Sequence, residues 1–494
     1  MAESNAGTHH PERGLLRWGA LAAAVLLVAS SCAARNKVEG AAQEEAPGGT
    51  ASPEVSQPSA GEVFGEMESP CGEGELTVDP SEAAGSPDVL RIGVPNDRTS
   101  QIRNGLNKEM WDASVAFSEW CNAQGGIGGL QIELVDLDGK LTEVGNAMTT
   151  ACSSTFMMVG GGWVQDDLQF TGKDGSDFHL CGLAEIPAFT TSPQKSESNG
   201  QIQPVPHPAS EATAVWMRMF ADLYPDQAES MAEVWGDLPA METIKNQDLE
   251  VIESEGSEVS GVFDYPVFGM TDWTPLAQQV IGSDAGSMHF VGEPTNMGTL
   301  IKTLREQGWE GIPMLETNMY DPTYVDSAQN ASDGTPNAAG SVIRTFFHPF
   351  EEAADWPAVQ QYQELVDQYV PDGKIALLGM QSFSAWLLFA TAANACGDAN
   401  DGVLTRACVL EAADGVDDWT AGGLHSPTDP GPEGGPSPTC DMLLEVTDEG
   451  TFERLYPELG SEEDSLDGFV CAEDAVAEVP ANEGKGVLGE DQPI

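Results

Sequence analysis

Seven histidines, a close pair of aspartates and nine cysteines are the residues of this 494-residue chain whose types could bind a metal or attack a substrate. Their spacing offers little of either. His179, His207, His289, His348 and His425 are scattered without ligand spacing, and no HExxH sets two of them on one helix face. Each reads as a satisfied surface or core histidine; His9 and His10 fall in the leader described below. Asp136 and Asp138 close an apolar run just before Gly139, which reads as a turn rather than a metal pair. There is no GxxxxGK[ST] phosphate loop, no GxGxxG opening a helix and no GxSxG nucleophile elbow. The glycines at 160–162 lack the rest of a dinucleotide fingerprint. Acidic pairs are so frequent that none marks a glycosidase dyad. No metal, cofactor or catalytic residue is expected, and the chain is not expected to be an enzyme.

Cysteine usage points instead to export. Residues 1–31 read as a signal peptide: Arg13 and Arg17 precede an apolar stretch from Leu21 to Val28. That stretch is shorter than the ~20 residues a spanning helix needs. It ends Val28-Ala29-Ser30-Ser31-Cys32, which resembles a bacterial lipobox with Ala29 in place of the usual leucine. Cleavage and acylation at Cys32 would leave the protein outside the cell and lipid-anchored to its membrane; plain secretion or an uncleaved anchor is the alternative. Cys71, Cys121, Cys152, Cys181, Cys396, Cys408, Cys440 and Cys471 remain. An even number in an exported chain suits four disulfides, with free buried thiols the alternative and the connectivity open. None forms a CxxC, so a zinc ribbon or a thioredoxin-type site is not expected.

Eighty acidic residues stand against 20 basic ones, a net charge of −60. Binding to nucleic acid or to an anionic membrane surface through basic patches is thereby disfavoured. Residues 32–88 are rich in Ala, Glu, Gly, Pro and Ser and read as a disordered acidic linker. Residues 461–494 carry ten Asp or Glu against Lys485 and read as a mostly loose acidic tail.

The elements that must position any site lie between. Val89 to Val94 reads as a buried strand. Leu106, Met110, Ala113, Phe117 and Trp120 recur at helical spacing within Asn104 to Ala123, and Gly125-Gly126 ends that helix. Gln131 to Val135, Phe156 to Val159 and Ala188 to Thr190 read as further strands. The rhythm returns with strands at Met231 to Trp235, Val262 to Tyr265, Met288 to Val291 and Ile312 to Leu315. A helix from Thr295 to Gln307 lies among them. Two successive βαβ sets predict an α/β protein with two parallel-sheet lobes. Val342 to Phe347 reads as a long strand, followed by helices from Pro357 and from Leu377 to Ala395; the last is expected to pack on a sheet rather than in lipid.

The most specific segment is Asn122-Ala123-Gln124-Gly125-Gly126-Ile127-Gly128-Gly129, a helix end that turns into the strand Leu130 to Asp138. It resembles the N-terminal signature of type I periplasmic binding proteins of the leucine/isoleucine/valine-binding class. Val159 to Gly162, Ile186 to Pro193, Phe268 to Trp273, Trp419 to His425 and Cys440 to Tyr456 resemble that family's later segments in order, so the resemblance covers about residues 89–460. It implies two doubly wound lobes joined by a three-strand hinge. Lobe I would be 89–204 plus 346–424, and lobe II 205–345 plus 425–460. It also implies a ligand cleft at the strands' carboxyl ends and hinge closure around the ligand.

By this resemblance the ligand contacts fall at Trp163, Val164, Thr190, Thr191 and Ser192 in the first lobe. In the second they fall at Trp235, Ala240, Glu293, Glu316 and Thr317, with Phe383 nearby. Thr191 and Ser192 would hold a ligand carboxylate, and Glu316 an ammonium; Trp163 and Trp235 would suit a flatter or cationic ligand. On this topology the pairs Cys71–Cys121, Cys152–Cys181, Cys396–Cys408 and Cys440–Cys471 are expected. The function implied is a monomeric lipoprotein that captures an amino acid, or a related amide or acid, for the permease subunits of an ABC importer. A ligand sensor on the same fold, or an exported enzyme, is the alternative.

Overall fold

The computed structural model describes residues 63–485, apart from 173–175, 331–333 and 335. The leader and Cys32 lie outside them. Two sheets carry the fold. The first is all parallel and contains β1 (Val89–Asn96), β2 (Gln131–Asp138), β3 (Met157–Val159) and β4 (Glu185–Ile186), in the order β2-β1-β3-β4. The second contains β5 (Ser230–Gly236), β6 (Glu258–Tyr265), β7 (Ser287–Val291), β8 (Ile312–Leu315) and β9 (Val342–Thr345), all parallel, then β10 (Cys440–Val446) and β11 (Phe452–Tyr456), both antiparallel to their neighbours. Its order is β6-β5-β7-β8-β9-β10-β11.

Helices cross between strands. α1 (Lys108–Ala123) and α2 (Val144–Ser154) serve the first sheet; α3 (Val215–Leu223), α4 (Glu242–Ser254), α5 (Thr274–Gly282), α6 (Pro294–Glu306) and α7 (Pro322–Ala328) serve the second. After β9 the chain returns to the first sheet, where α8 (Pro357–Tyr369) and α9 (Leu377–Ala399) pack on α1, followed by α10 (Arg406–Asp414). It then re-crosses to β10. The chain thus passes between the sheets three times.

The apolar pattern explains the packing. Met297, Leu300, Ile301 and Leu304 form the stripe by which α6 is buried. α9 is apolar nearly all round and buried over most of its length, as a helix enclosed by protein requires. Among the described residues no helix is long and apolar enough to cross a membrane. The predicted signature is the turn into β2. Gly126 stands at φ +91° with Leu130 O 2.1 Å from where a Cβ would lie, so a side chain is barred there. Asn122 brackets the backbone of Ile132, accepting from its N–H at 2.8 Å and donating to its carbonyl at 3.0 Å.

Several boundaries differ from the expectation. α1 begins at Lys108, not Asn104, because Asn107 is left-handed (φ 55°) and the preceding residues form turns. β4 is Glu185–Ile186 rather than Ala188 to Thr190, since Pro187 has no N–H to continue the ladder. The expected linker is ordered from Val63 onward. Val63–Phe64 pairs with Met67–Glu68, and Thr77–Val78 pairs with Val403–Leu404. Phe64 is fully buried, 4.9 Å from the ring of Phe383. The expected loose tail is likewise anchored through 485. Val476–Glu478 pairs with Glu211–Thr213, and buried Asn482 donates to the carbonyls of Ala209 and Thr243 at 2.9 Å. A few placed apolar residues outweigh an acidic average composition in both segments. Disulfides join Cys71–Cys121, Cys152–Cys181, Cys396–Cys408 and Cys440–Cys471.

Candidate ligand-binding cleft

A cleft of about 360 Å³ lies between the carboxyl ends of the two sheets. Open parallel sheets place ligands there, and the volume is within the usual range for small-molecule sites. Its walls are largely apolar. Leu141 and Val164 from the first sheet's loops join Leu238, Met241 and Val291 from the second in one continuous cluster, with Leu106 and Ile244 packed against it.

The loop after β1 forms one rim and is held by carboxylates. Asp97 accepts from the N–H of Leu141 at 2.6 Å and of Val164 at 3.0 Å, tying three loops together. Burial pushes its carboxyl up to about 6, against the pull of those two donors. Asp136 takes Arg98 in a bidentate pair at 2.6 and 2.8 Å, and Asp138 accepts from Thr99 N–H at 3.1 Å. The two aspartates therefore brace the rim.

Two charged contacts cross the cleft. Arg103, on the loop after β1, meets Glu293 at 2.8 Å and Asn296 at 2.7 Å. Lys374 lies 2.9 Å from Glu109 of α1 and 2.6 Å from Asp321, which caps α7. Glu316 forms a bidentate pair with Arg344 at 2.8 Å on both arms. Burial opposes ionisation of Glu316, but Arg344 and His289 override it and hold the carboxyl below the usual carboxylate range.

Of the residues expected at the ligand, Val164, Thr190, Thr191, Glu293, Glu316 and Thr317 line the cleft. Glu293 is already engaged, capping α6 through the N–H groups of Thr295 and Asn296 as well as pairing with Arg103. Trp163 is not at the cleft. It is buried against Leu137, Val144 and Met148, and its indole N–H donates to Leu137 O at 2.9 Å. Ser192 caps the short helix Pro193–Ser196. Trp235 lies behind the lining under Lys245, 4.6 Å from its ring, and Ala240 is buried beside lining residues without joining them. Phe383 is core, stacked on Phe64 and close to Phe117 and Tyr362.

The expected carboxylate clamp is occupied from within. Asp166 accepts from Thr191 N–H at 2.7 Å and from Ser192 N–H at 2.9 Å. The Thr191 hydroxyl donates to Val164 O at 3.1 Å. Asp166 is fully buried and raised by burial to about 6, with the two residues it accepts from opposing.

Of the lining residues with an unpaired polar atom, only Thr317 was expected at the ligand. Asn107 Nδ2, Gln203 Nε2, Gln381 Oε1 and Thr317 Oγ1 make no hydrogen bond, although all four residues line the cleft. Gln381 was findable as an amide within the apolar run that opens α9. Asn107 and Gln203 sit in loops, where spacing says nothing.

A model of the periplasmic binding protein family matches residues 183–450, just over half of the chain. No curated protein matches by sequence. Among solved structures, the fold is similar to a fatty acid ABC transporter substrate-binding protein of Thermomonospora curvata. The identity is 16% and the TM-score 0.62, covering 78% of this chain and 95% of that one. It is similar to a leucine-binding protein of Thermotoga maritima at 15% identity and TM-score 0.58, covering 74% and 98%. A branched-chain amino acid transporter substrate-binding protein of Streptococcus pneumoniae, solved with isoleucine, gives 15% and 0.58, covering 75% and 100%. With this family match, the two doubly wound sheets and the cleft at their carboxyl ends, the chain belongs to the periplasmic binding protein family and has its type I fold.

Proposed function

We propose that this protein is the extracytoplasmic solute-binding component of an ABC importer. Its cleft captures a small solute with an apolar body and a few hydrogen-bonding groups, an amino acid or a related amide or acid. The observation that carries this reading is the composition of the cleft: apolar walls with four uncharged polar side chains that each hold an atom without a hydrogen bond. A buried polar atom left unpaired costs about 1–3 kcal/mol, so a solute that meets these atoms gains both contact and relief. The charged groups at the rim are already paired with one another, which favours a solute of no net charge. Structural neighbours named for fatty acid and for isoleucine both handle ligands with an apolar body.

Four disulfides support an oxidising compartment. Acylation at Cys32 would keep the protein beside its permease, whose subunits would recognise the closed form. Binding without turnover is the expected behaviour.

The test is a thermal-shift screen of the full chain against branched-chain amino acids, medium-chain fatty acids and their amides. A solute at 100 times its Kd should stabilise the fold by about 2.7 kcal/mol. Thr317→Val and Gln381→Leu should each weaken the responding solute about tenfold. A panel-wide absence of shift, or chemical conversion of the compound that binds, would sink the reading.

A further inference from the structure

Behind the cleft floor, three side chains from separate elements converge in the core of the second sheet. β5 and β7 are parallel neighbours, and their register sets His289 directly opposite Glu233. α4 lays Asp248 over the same face. All three side chains are buried: Glu233 and His289 are 0% exposed and Asp248 is 3%. Trp216 of α3 stacks on the imidazole, with centroids 5.1 Å apart, and closes the site on one side.

The imidazole stands from each carboxylate at a spacing that suits ligands around an ion, and all three ligand atoms lie within 4.8 Å of one another. His289 Nδ1 lies 3.4 Å from Glu233 Oε2 and 3.4 Å from Asp248 Oδ2. A tetrahedral ion with ligand bonds of about 2.0–2.1 Å separates its ligands by about 3.3–3.4 Å. A charge-assisted hydrogen bond would instead draw such atoms to about 2.7–2.9 Å. Neither oxygen of Glu233, nor Asp248 Oδ2, nor either nitrogen of His289 makes a hydrogen bond. Buried carboxylates that stand 3.4 Å from an imidazole, with no hydrogen bond made there, are expensive, and this is the second observation that points to a ligand. Lys245 does not supply the cation, for its ammonium turns to Glu242 at 3.8 Å and to the Trp235 ring. Arg344 is committed to Glu316 and lies 3.7 Å from Asp441.

The surroundings also suit a metal-ligating histidine. Its other nitrogen, Nε2, lies 3.3 Å from Glu316 Oε1, and Arg344 holds both oxygens of that carboxylate. A carboxylate behind the imidazole orients the ring and raises its basicity as a ligand. The site also borders a cavity next to the solute cleft. Asp248 lines a small cavity of about 30 Å³ together with Trp216, His207, Arg344 and Phe346, and the last three also line the solute cleft. One ring nitrogen with two carboxylates is a donor set for zinc or its neighbours rather than for calcium.

We propose that Glu233, Asp248 and His289 form a buried site for one divalent transition cation of the zinc type. The ion would pin β5, β7 and α4 together, and through Glu316 it would touch the floor of the solute cleft.

The test uses the full chain, stripped with a chelator and then dialysed against Zn²⁺ or Co²⁺. Elemental analysis should find one equivalent retained, and the Co²⁺ form should show the intense visible bands of tetrahedral cobalt. His289→Gln and Glu233→Gln should lose both, with far-UV circular dichroism confirming that each variant is folded. Should either fail to fold, Asp248→Asn and the cobalt spectrum of the unaltered chain decide the matter. The proposal is overturned by no stoichiometric metal in the unaltered chain, or by only the weak octahedral cobalt spectrum of surface carboxylates. Retention of metal by the variants would overturn it equally. So would an imidazole of His289 found protonated on both nitrogens in the presence of Zn²⁺, since an imidazolium between two carboxylates is the rival arrangement.

Discussion

Asp166 places a carboxylate where the family resemblance would seat the ligand's own, on the amides of Thr191 and Ser192. Those two donors are buried, so removing their acceptor leaves two unmet N–H groups, at about 1–3 kcal/mol each. Asp166→Ala should therefore lower stability by roughly 2–6 kcal/mol and open a small anion pocket. Added acetate or formate should restore part of the melting temperature of the variant, and far less in the unaltered chain. A variant that melts as before, or that ignores acetate, would show that Asp166 does not fill an anion site. At this scale the sequence was readable where a side chain's chemistry is tied to backbone close by. Asn122 and Gly126 announce a turn because an amide must bracket Ile132 and a Cβ has no room. It was misleading where orientation decides. Trp163 follows the right strand, yet its indole turns down to Leu137 and leaves Val164 at the cleft.

Among the elements, the N-terminal segment was the hardest to foresee. Averages over 32–88 are polar and acidic, yet Phe64 and Val78 are 0% and 1% exposed and Cys71 is tied to Cys121. One aromatic residue seated between Trp120 and Phe383 fixes a hairpin that composition would leave free. By contrast β1, β8 and α6 were legible, since each is a mostly apolar run or a clean helical stripe. A chain beginning at Gly85 would lose this hairpin, the Thr77–Val78 pairing and the Cys71–Cys121 link. That disulfide closes a separation of 50 residues, which the chain-entropy treatment values at about 4 kcal/mol. Such a truncation should melt well below a chain that keeps residue 58 onward, and in urea its midpoint should fall with it. Equal midpoints would mean that the segment rests on the surface without supporting the fold.

For the whole molecule the governing fact is a shortage of cations. Only 20 of 494 residues are Lys or Arg, yet Arg103, Lys108, Arg344 and Lys374 all line the cleft. Two of these reach across it. Arg103 to Glu293 and Lys374 to Asp321 join loops that belong to different sheets. With a net charge of −60, the two halves repel one another, so these bridges offset repulsion as well as adding contact. They are half-buried or better, which limits screening by salt. If each contributes about 1 kcal/mol to the closed form, Arg103→Ala with Lys374→Met should move the open-to-closed ratio by about thirtyfold. Small-angle scattering of the solute-free double variant should then give a larger radius of gyration than the unaltered chain. Moderate salt should shrink that difference by damping the repulsion. Solute affinity should fall by the fraction of closed molecules lost, because a binding-competent state that is less populated lowers apparent affinity by that factor. The two measurements separate two roles for the same residues. An unchanged radius with weakened binding would make Arg103 and Lys374 solute contacts, whereas an expanded solute-free form makes them the latch that sets how often the cleft is closed.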